Sequence, residues 1–287
     1  MSSIAAVGKV NTLKILRQTE DGYFLDGQNL GEIFLAKRFA KDINASEDSS
    51  VTVFIAYDSD DRLMATTEKP KVQVGEFSLL QVIATQAIGT FLDWGLAKDL
   101  FLPFAEQLYD LRPGQEIIVY VYLDKSQRIS ASMRLDKHLK KIDLRNPIFK
   151  IEQNVELFIC GKTDLGYKAI VNGTHLGILF ENEVFQSLYY GQKLPGFIKK
   201  IRDDGKIDLC LSKTGHRAAE DISPLIINLL EKNDCFLSIN EKTPPETIYQ
   251  MFGVSKKKYK MVLGSLYKKK LITITEDGIF LVKPPIN

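Results

Sequence analysis

The chain has no apolar run near the roughly 20 residues that a membrane-crossing helix needs. Its start, Met1-Ser-Ser-Ile-Ala-Ala-Val, lacks the charged residues and apolar stretch of a secretory signal. Cysteine is scarce. Cys160, Cys210 and Cys235 are odd in number and far apart, which argues against a disulfide framework and suits a reducing compartment. Histidine is equally sparse, and His138, His175 and His216 are isolated from one another. There is no CxxC, HExxH, phosphate-cradling glycine loop or nucleophile elbow, so no metal, cofactor or catalytic residue is expected and the chain is read as a non-enzyme. Cys160 and His175 could meet, but two ligands do not make a zinc site. Adjacent carboxylates such as Asp203-Asp204 read as turn formers. A large charge of one sign is also missing. The net charge is +2, distributed as −3 over residues 1–66, 0 over 67–140, +2 over 141–216 and +3 over 217–287. A polyanion is therefore expected to be gripped mainly toward the C-terminal end.

What the chain does have is repetition. Gly22-Tyr-Phe-Leu, Gly89-Thr-Phe-Leu and Gly166-Tyr-Lys-Ala each open an apolar run, at intervals of 67 and 77 residues. A period this long is that of a complete small β domain, not of a solenoid repeat. Each run leads to a phenylalanine: Phe34 and Phe101 lie 12 residues after the glycine, and Phe180 lies 14 after it. The two extra residues are assigned to Asn172-Gly173, a strong hairpin-turn signal. Each copy then ends in an alternating hairpin with a basic residue after its turn, namely Arg62, Arg128 and Lys206. Short strands rich in β-branched and aromatic residues between Gly and Asp turns mark a small barrel. Examples are Val51-Thr-Val-Phe-Ile-Ala-Tyr and Glu116-Ile-Ile-Val-Tyr-Val-Tyr-Leu.

After about residue 217 the pattern turns helical. Ile222, Leu225, Ile226, Leu229 and Leu230 share a helical face between Asp221 and Asn233. A second helix is expected over residues 244–252, with proline in its first turn, and a third after the N-cap Ser255 to about Lys270. Ile272-Thr-Ile-Thr and Ile279-Phe-Leu-Val then form a hairpin. Three helices followed by a hairpin is the winged-helix order. The fold expected is mainly β with an α+β tail: five-stranded barrels over 1–66, 67–140 and 141–216, then a winged helix over 217–287, with the basic stretch 137–146 as a linker.

These features resemble the S1 domain, an OB-fold barrel. Three such domains followed by a winged helix, closed by Val254-Ser-Lys-Lys-Lys-Tyr-Lys and Leu266-Tyr-Lys-Lys-Lys-Leu-Ile, resemble the conserved virulence factor B family of bacterial RNA-binding regulators. The resemblance implies single-stranded RNA as partner, with DNA as the alternative and no membrane association, and a cytoplasmic location. It places the second-strand stacking position on Phe24, Phe91 and Lys168, and the third-strand position on Phe34, Phe101 and Phe180. The closing hairpins carry Asp58 with Arg62, Asp124 with Arg128, and Arg202 with Lys206.

The physical case for these residues is direct. Unpaired bases expose π faces that aromatic rings can stack on, and arginine or lysine beside them meets phosphate. In the tail, Lys257, Lys260 and Lys268 lie opposite the apolar face of Tyr259, Val262, Leu263 and Leu266, with Lys256 close by. Each of these also has an ordinary reading: a strand phenylalanine as core, a hairpin arginine as solubility, a lysine face as solvated surface. Three further identities follow from the pattern, in order of preference: an RNA-binding post-transcriptional regulator, a DNA-binding transcription regulator, and a nuclease.

Overall fold

A computed structural model describes residues 4–40, 49–58, 60, 62–184, 186–211 and 222–282. The helix start at Asp221 and His216 lie outside the described residues.

Three closed five-stranded barrels occupy the first three-quarters of the chain. Barrel one is built from β1 (Val10–Gln18), β2 (Gly22–Asp26), β3 (Glu32–Ala36), β4 (Ser50–Tyr57) and β5 (Leu63–Thr66). Barrel two uses β6 (Phe77–Gln86), β7 (Gly89–Asp93), β8 (Leu100–Pro103), β9 (Glu116–Leu123) and β10 (Ile129–Ser132). Barrel three uses β11 (Asn154–Thr163), β12 (Gly166–Val171), β13 (His175–Phe180), β14 (Lys193–Ile201) and β15 (Ile207–Cys210). The strand order is the same in each. The first strand pairs with the second and the fourth, the second with the third, and the third with the fifth in the one parallel pairing. The long first strand of each barrel slips register at the same place, Ile15/Arg17, Val82/Ala84 and Ile159/Gly161. A bulge there bends the strand so that it can serve two neighbours and close the barrel.

The repeated glycine has a steric cause. A Cβ on Gly22, Gly89 or Gly166 would lie 2.2, 2.6 or 2.1 Å from the carbonyl oxygen of Leu35, Leu102 or Leu179 on the facing third strand. Only hydrogen fits, so glycine marks the second strand of every copy.

Alternation then sorts each strand. In β3, Ile33 and Leu35 are fully buried and Phe34 between them points outward, half-buried. Barrels one and three have inner cores of this kind. Barrel two differs, because its core also takes in Phe54 and Ala56 from β4 of barrel one. The Phe54 ring meets Trp94 edge-on at 5.6 Å. A backbone bond also joins the same two barrels, with Val74 N–H donating to the Gly8 carbonyl at 2.9 Å. Residues 1–139 thus form one compact body containing two barrels, and residues 140–287 form a second.

The tail folds as α1 (Ser223–Lys232), β16 (Phe236–Leu237), α2 (Pro245–Phe252), α3 (Lys256–Lys268), β17 (Ile272–Ile274) and β18 (Ile279–Leu281). Ser255 caps α3 by accepting from the Lys258 N–H at 3.3 Å, and Gly253 ends α2 in the left-handed conformation. Tyr259, Leu263 and Leu266 on α3 pack with Ile226 and Leu230 on α1 and Ile248 on α2. The wing sheet has the order β16-β18-β17. Its third strand, β16, is two residues long and too short for a period to reveal.

Tyr259 is fully buried against Phe252, and among the described residues its hydroxyl has no hydrogen-bond partner. Burial pushes its ionisation well above the usual phenolic range. The unfolded chain therefore loses this proton near pH ~10 while the folded domain keeps it. Stability is complete below that pH and falls as pH rises above it. Tyr259→Phe is expected to remove this alkaline loss and to be at least as stable at neutral pH, by about 1 kcal/mol, because an unsatisfied hydroxyl is no longer buried. Chemical denaturation at pH ~7 and pH ~11, either side of the free phenol's range, checks both expectations.

Candidate nucleic-acid interface

Strand register assembles an equivalent row of residues on the outer face of each barrel. In barrel one, Arg17 faces Phe24, Phe24 faces Phe34, and Phe34 faces Met64. In barrel two the row is Ala84, Phe91, Phe101 and Ser130. In barrel three it is Gly161, Lys168, Ile178 and Asp208. The two aromatic pairs are near copies of each other. Phe24 and Phe34 sit 5.2 Å apart at 48°, and Phe91 and Phe101 sit 5.5 Å apart at 47°. All four rings are half-buried.

The pairs differ in what covers them. The Arg17 guanidinium lies 3.8 Å over the Phe24 ring and is held by Glu32 at 2.7 Å. A base stacking on Phe24 must displace that cation or stack on top of it. Barrel two has Ala84 at this position.

The register corrects the expectation for copy three. Phe180 faces Gly166, as Ala36 faces Gly22 and Pro103 faces Gly89. The residue equivalent to Phe34 and Phe101 is Ile178, so the strands match without a two-residue insertion at Asn172-Gly173. Matching phenylalanine to phenylalanine misled because a two-residue slip preserves side-chain parity, and both positions point outward. Phe180 instead lies 5.4 Å from the Arg202 guanidinium, which pairs with the nearly buried Asp208 at 2.8 Å. Cys160 and His175 have separate partners: the Cys160 thiol donates to the Lys168 carbonyl, and His175 Nδ1 meets the Thr174 hydroxyl. Among the described residues no group of three or more potential metal ligands is assembled.

The closing hairpins match position for position. The N–H groups of Asp58, Asp124 and Arg202 donate to the carbonyls of Arg62, Arg128 and Lys206, each at 2.9 Å. Two of the basic side chains, Arg62 and Lys206, carry their own counter-ions. Arg62 reaches Asp58 at 3.0 Å and Asp60 at 2.7 Å, and Lys206 reaches Asp204 at 2.9 Å. The Arg62 N–H bond to its carboxylate holds Asp58 below the usual range, and the Lys206 ammonium does the same for Asp204. Such exposed pairs are worth only about 0–1 kcal/mol, so exchanging one for a phosphate costs little.

Two concavities carry residues that reading the sequence passed over. Phe91 and Phe101 face a cleft of about 610 Å³ between barrels one and two, which Arg128, Trp94, Tyr57 and Lys98 also line. On barrel three, Lys140 and Lys141 join Lys168 and Lys206 around a second hollow of about 590 Å³. The stretch read as a plain linker is pinned there by a parallel bridge between Lys140 and His175. Its lysines were the available signal.

On α3, Lys257, Lys260 and Lys268 are exposed on one stripe with Gly264. Lys256 is half-buried, and its ammonium donates to the Lys242 carbonyl at 3.3 Å. A Cβ on Gly264 would meet nothing within 4 Å. The helix thus bears glycine's propensity cost, about 1 kcal/mol, without an internal packing reason.

Residues 225–281 match the CvfB-like winged helix domain, and residues 7–68 and 74–134, barrels one and two, match the S1 domain. Together the matches take in more than half of the chain. The chain belongs to the conserved virulence factor B family. Its relatives include conserved virulence factor B of Staphylococcus saprophyticus, 23% identical, and that of Staphylococcus haemolyticus, 24% identical; each match covers 96% of this chain and 95% of the relative. Among solved structures, a multidomain protein with nucleic acid binding domains from Streptococcus pneumoniae is 23% identical, with 96% of this chain and 98% of that one covered and a TM-score of 0.41. S1 barrels and winged helices are nucleic-acid-binding modules, not enzyme families, and nucleic-acid binding is the function they support. No helix among the described residues is long and apolar enough to cross a membrane.

Proposed function

We propose that this protein binds single-stranded RNA in the cytoplasm and acts after transcription to regulate gene expression. The observation that carries the reading is the aromatic pair repeated at one register in barrels one and two. Two tilted rings offer π faces to unpaired bases, and such stacking is blind to sequence. The deep, narrow major groove of duplex RNA is closed to side chains, so single strands with splayed bases are the natural partner. Barrel three, with Lys168 and Ile178 in the row, contributes charge in place of stacking. The exposed lysines of α3 add pairing to phosphates. No chemical step belongs to this reading, and RNA incubated with the protein and Mg²⁺ or Mn²⁺ is expected to stay intact.

A second reading, a DNA-binding transcription regulator led by the winged helix, is favoured by Gly264. An open glycine amid Lys257, Lys260 and Lys268 lets the α3 backbone approach a phosphate chain closely. Lysines without a base-reading set of Arg, Asn and Gln suit backbone binding more than readout. Affinities for single-stranded RNA, single-stranded DNA and duplex DNA at two salt concentrations separate the readings. Tightest binding to RNA is expected, and tighter binding to duplex DNA selects the second.

The same titrations test the helix. Each lysine–phosphate pairing removed from a single-strand complex flattens the slope of log K against log salt by about 0.7. Lys257→Ala with Lys260→Ala should flatten it by about 1.4. An unchanged slope removes α3 from the interface.

A further inference from the structure

The cleft between barrels one and two is walled, stiff and lightly acidic, and these properties select an occupant. One wall is the Phe91–Phe101 pair; the opposite wall comes from barrel one, with Phe39, Tyr57 and Met64. Its volume of about 610 Å³ falls in the range of roughly 300–1,000 Å³ typical of small-molecule sites. The walls are pinned in place. Phe54 and Trp94 share one core, the Trp94 indole N–H donates to the Lys98 carbonyl at 2.6 Å, and the Lys98 ammonium crosses to the Asp58 carbonyl at 2.9 Å. The slot therefore exists before any ligand arrives.

Its charge runs against phosphate. Asp58, Glu68, Asp99 and Asp124 line it, against the cations Arg38, Lys98 and Arg128. Arg38 lies over the Phe39 ring at 4.8 Å, and Lys98 is spent on the crossing bond. Asp99 is half-buried in this wall, and among the described residues its carboxylate makes no hydrogen bond or ion pair. A carboxylate is an acceptor only. It suits a planar ring that carries an amino group, such as cytosine N4 or adenine N6, and repels the carbonyl that uracil presents there.

We infer that this cleft is a slot for one unpaired amino-bearing nucleobase, such as cytosine or adenine, held between the two barrels with its phosphate outside. The inference rests on reading the barrels as an RNA-binding surface, and it adds base preference and a defined subsite. The base comes either from a strand or from a free nucleotide.

Trp94, the one tryptophan of the chain, sits in the slot wall and reports its occupancy directly. The full chain is titrated with CMP, UMP, oligo(C) and oligo(U) while tryptophan emission and oligonucleotide anisotropy are followed together. A saturable emission change with cytosine ligands, at least tenfold tighter than with uracil ligands, is expected. A response to oligo(C) alone assigns the base to a strand; one to CMP as well admits free nucleotides. Asp99→Asn, which keeps the shape and adds a donor, should bring the cytosine and uracil affinities within about twofold. RNA binding seen by anisotropy with no emission change, or equal response to cytosine and uracil in the native chain, overturns the slot and leaves RNA binding standing. A response to CMP without any oligonucleotide binding supports the slot and sinks the wider RNA reading.

Discussion

Replacing Phe91 and Phe101 together by alanine is expected to weaken single-stranded RNA binding between about fivefold and a hundredfold, since base–aromatic stacking is worth roughly 1–3 kcal/mol per base. The two rings form one platform, so the pair counts as about one stacked base, not two. The fold should survive. The rings are half-buried outside the barrel, whereas removing a fully buried phenylalanine costs about 3–5 kcal/mol. Barrel one provides the contrast. Phe24 and Phe34 have the same spacing and tilt, but Arg17 already occupies the Phe24 face. A base there displaces a cation–π interaction worth about 0.5–1 kcal/mol at an exposed site, so the matching double substitution in barrel one should cost less affinity. Barrel three has no aromatic pair in the row, and Lys168→Ala should change the salt slope without the stacking loss. Anisotropy titrations at two salt concentrations separate these outcomes. A folded Phe91→Ala, Phe101→Ala protein that binds RNA like the native chain would remove the platform from the site.

Much of this architecture is legible in the sequence because the constraints that made it are local. The glycine that opens each second strand must be glycine, for a Cβ would strike the carbonyl of the strand beside it. The closing hairpins keep one bond pattern from Asp58 and Arg62 to Arg202 and Lys206. The Ser255 cap and the apolar stripe of α3 are likewise set within a few residues. What escaped was non-local or shorter than a period. Phe180 took the place of Ile178 because parity cannot resolve a two-residue slip. β16, at two residues, has no periodicity. The docking of barrels one and two did leave a trace: from Val53 to Ala56 four consecutive residues of β4 are buried, where a half-exposed strand would alternate. Val53 and Ile55 fill barrel one, while Phe54 and Ala56 enter the core of barrel two. A strand apolar on both faces announces a second layer against it.

That second layer predicts a severe loss of stability when it is broken. Phe54 is 1% exposed and meets the Trp94 edge inside the barrel-two core, although it belongs to barrel one. Phe54→Ala should cost about 3–5 kcal/mol, from the lost transfer energy and the cavity left between two docked surfaces. Against a typical total of about 5–15 kcal/mol this is severe, and a fall in melting temperature on the order of 10–20 °C follows. The manner of unfolding should change as well. In the native chain the shared core couples the two barrels, so the body that contains them melts as a unit. Without Phe54 the coupling drops and barrel one should separate as an earlier transition, with a red shift of Trp94 emission as its indole meets water. Ile55→Val is the control, because its side chain lies in the core of barrel one alone and costs about 0.5–1.5 kcal/mol without exposing Trp94. Calorimetry read alongside tryptophan emission distinguishes the two. If Phe54→Ala melts in a single transition with its emission unmoved, the barrels are held by the hydrogen bonds between them and the shared core is incidental to their docking.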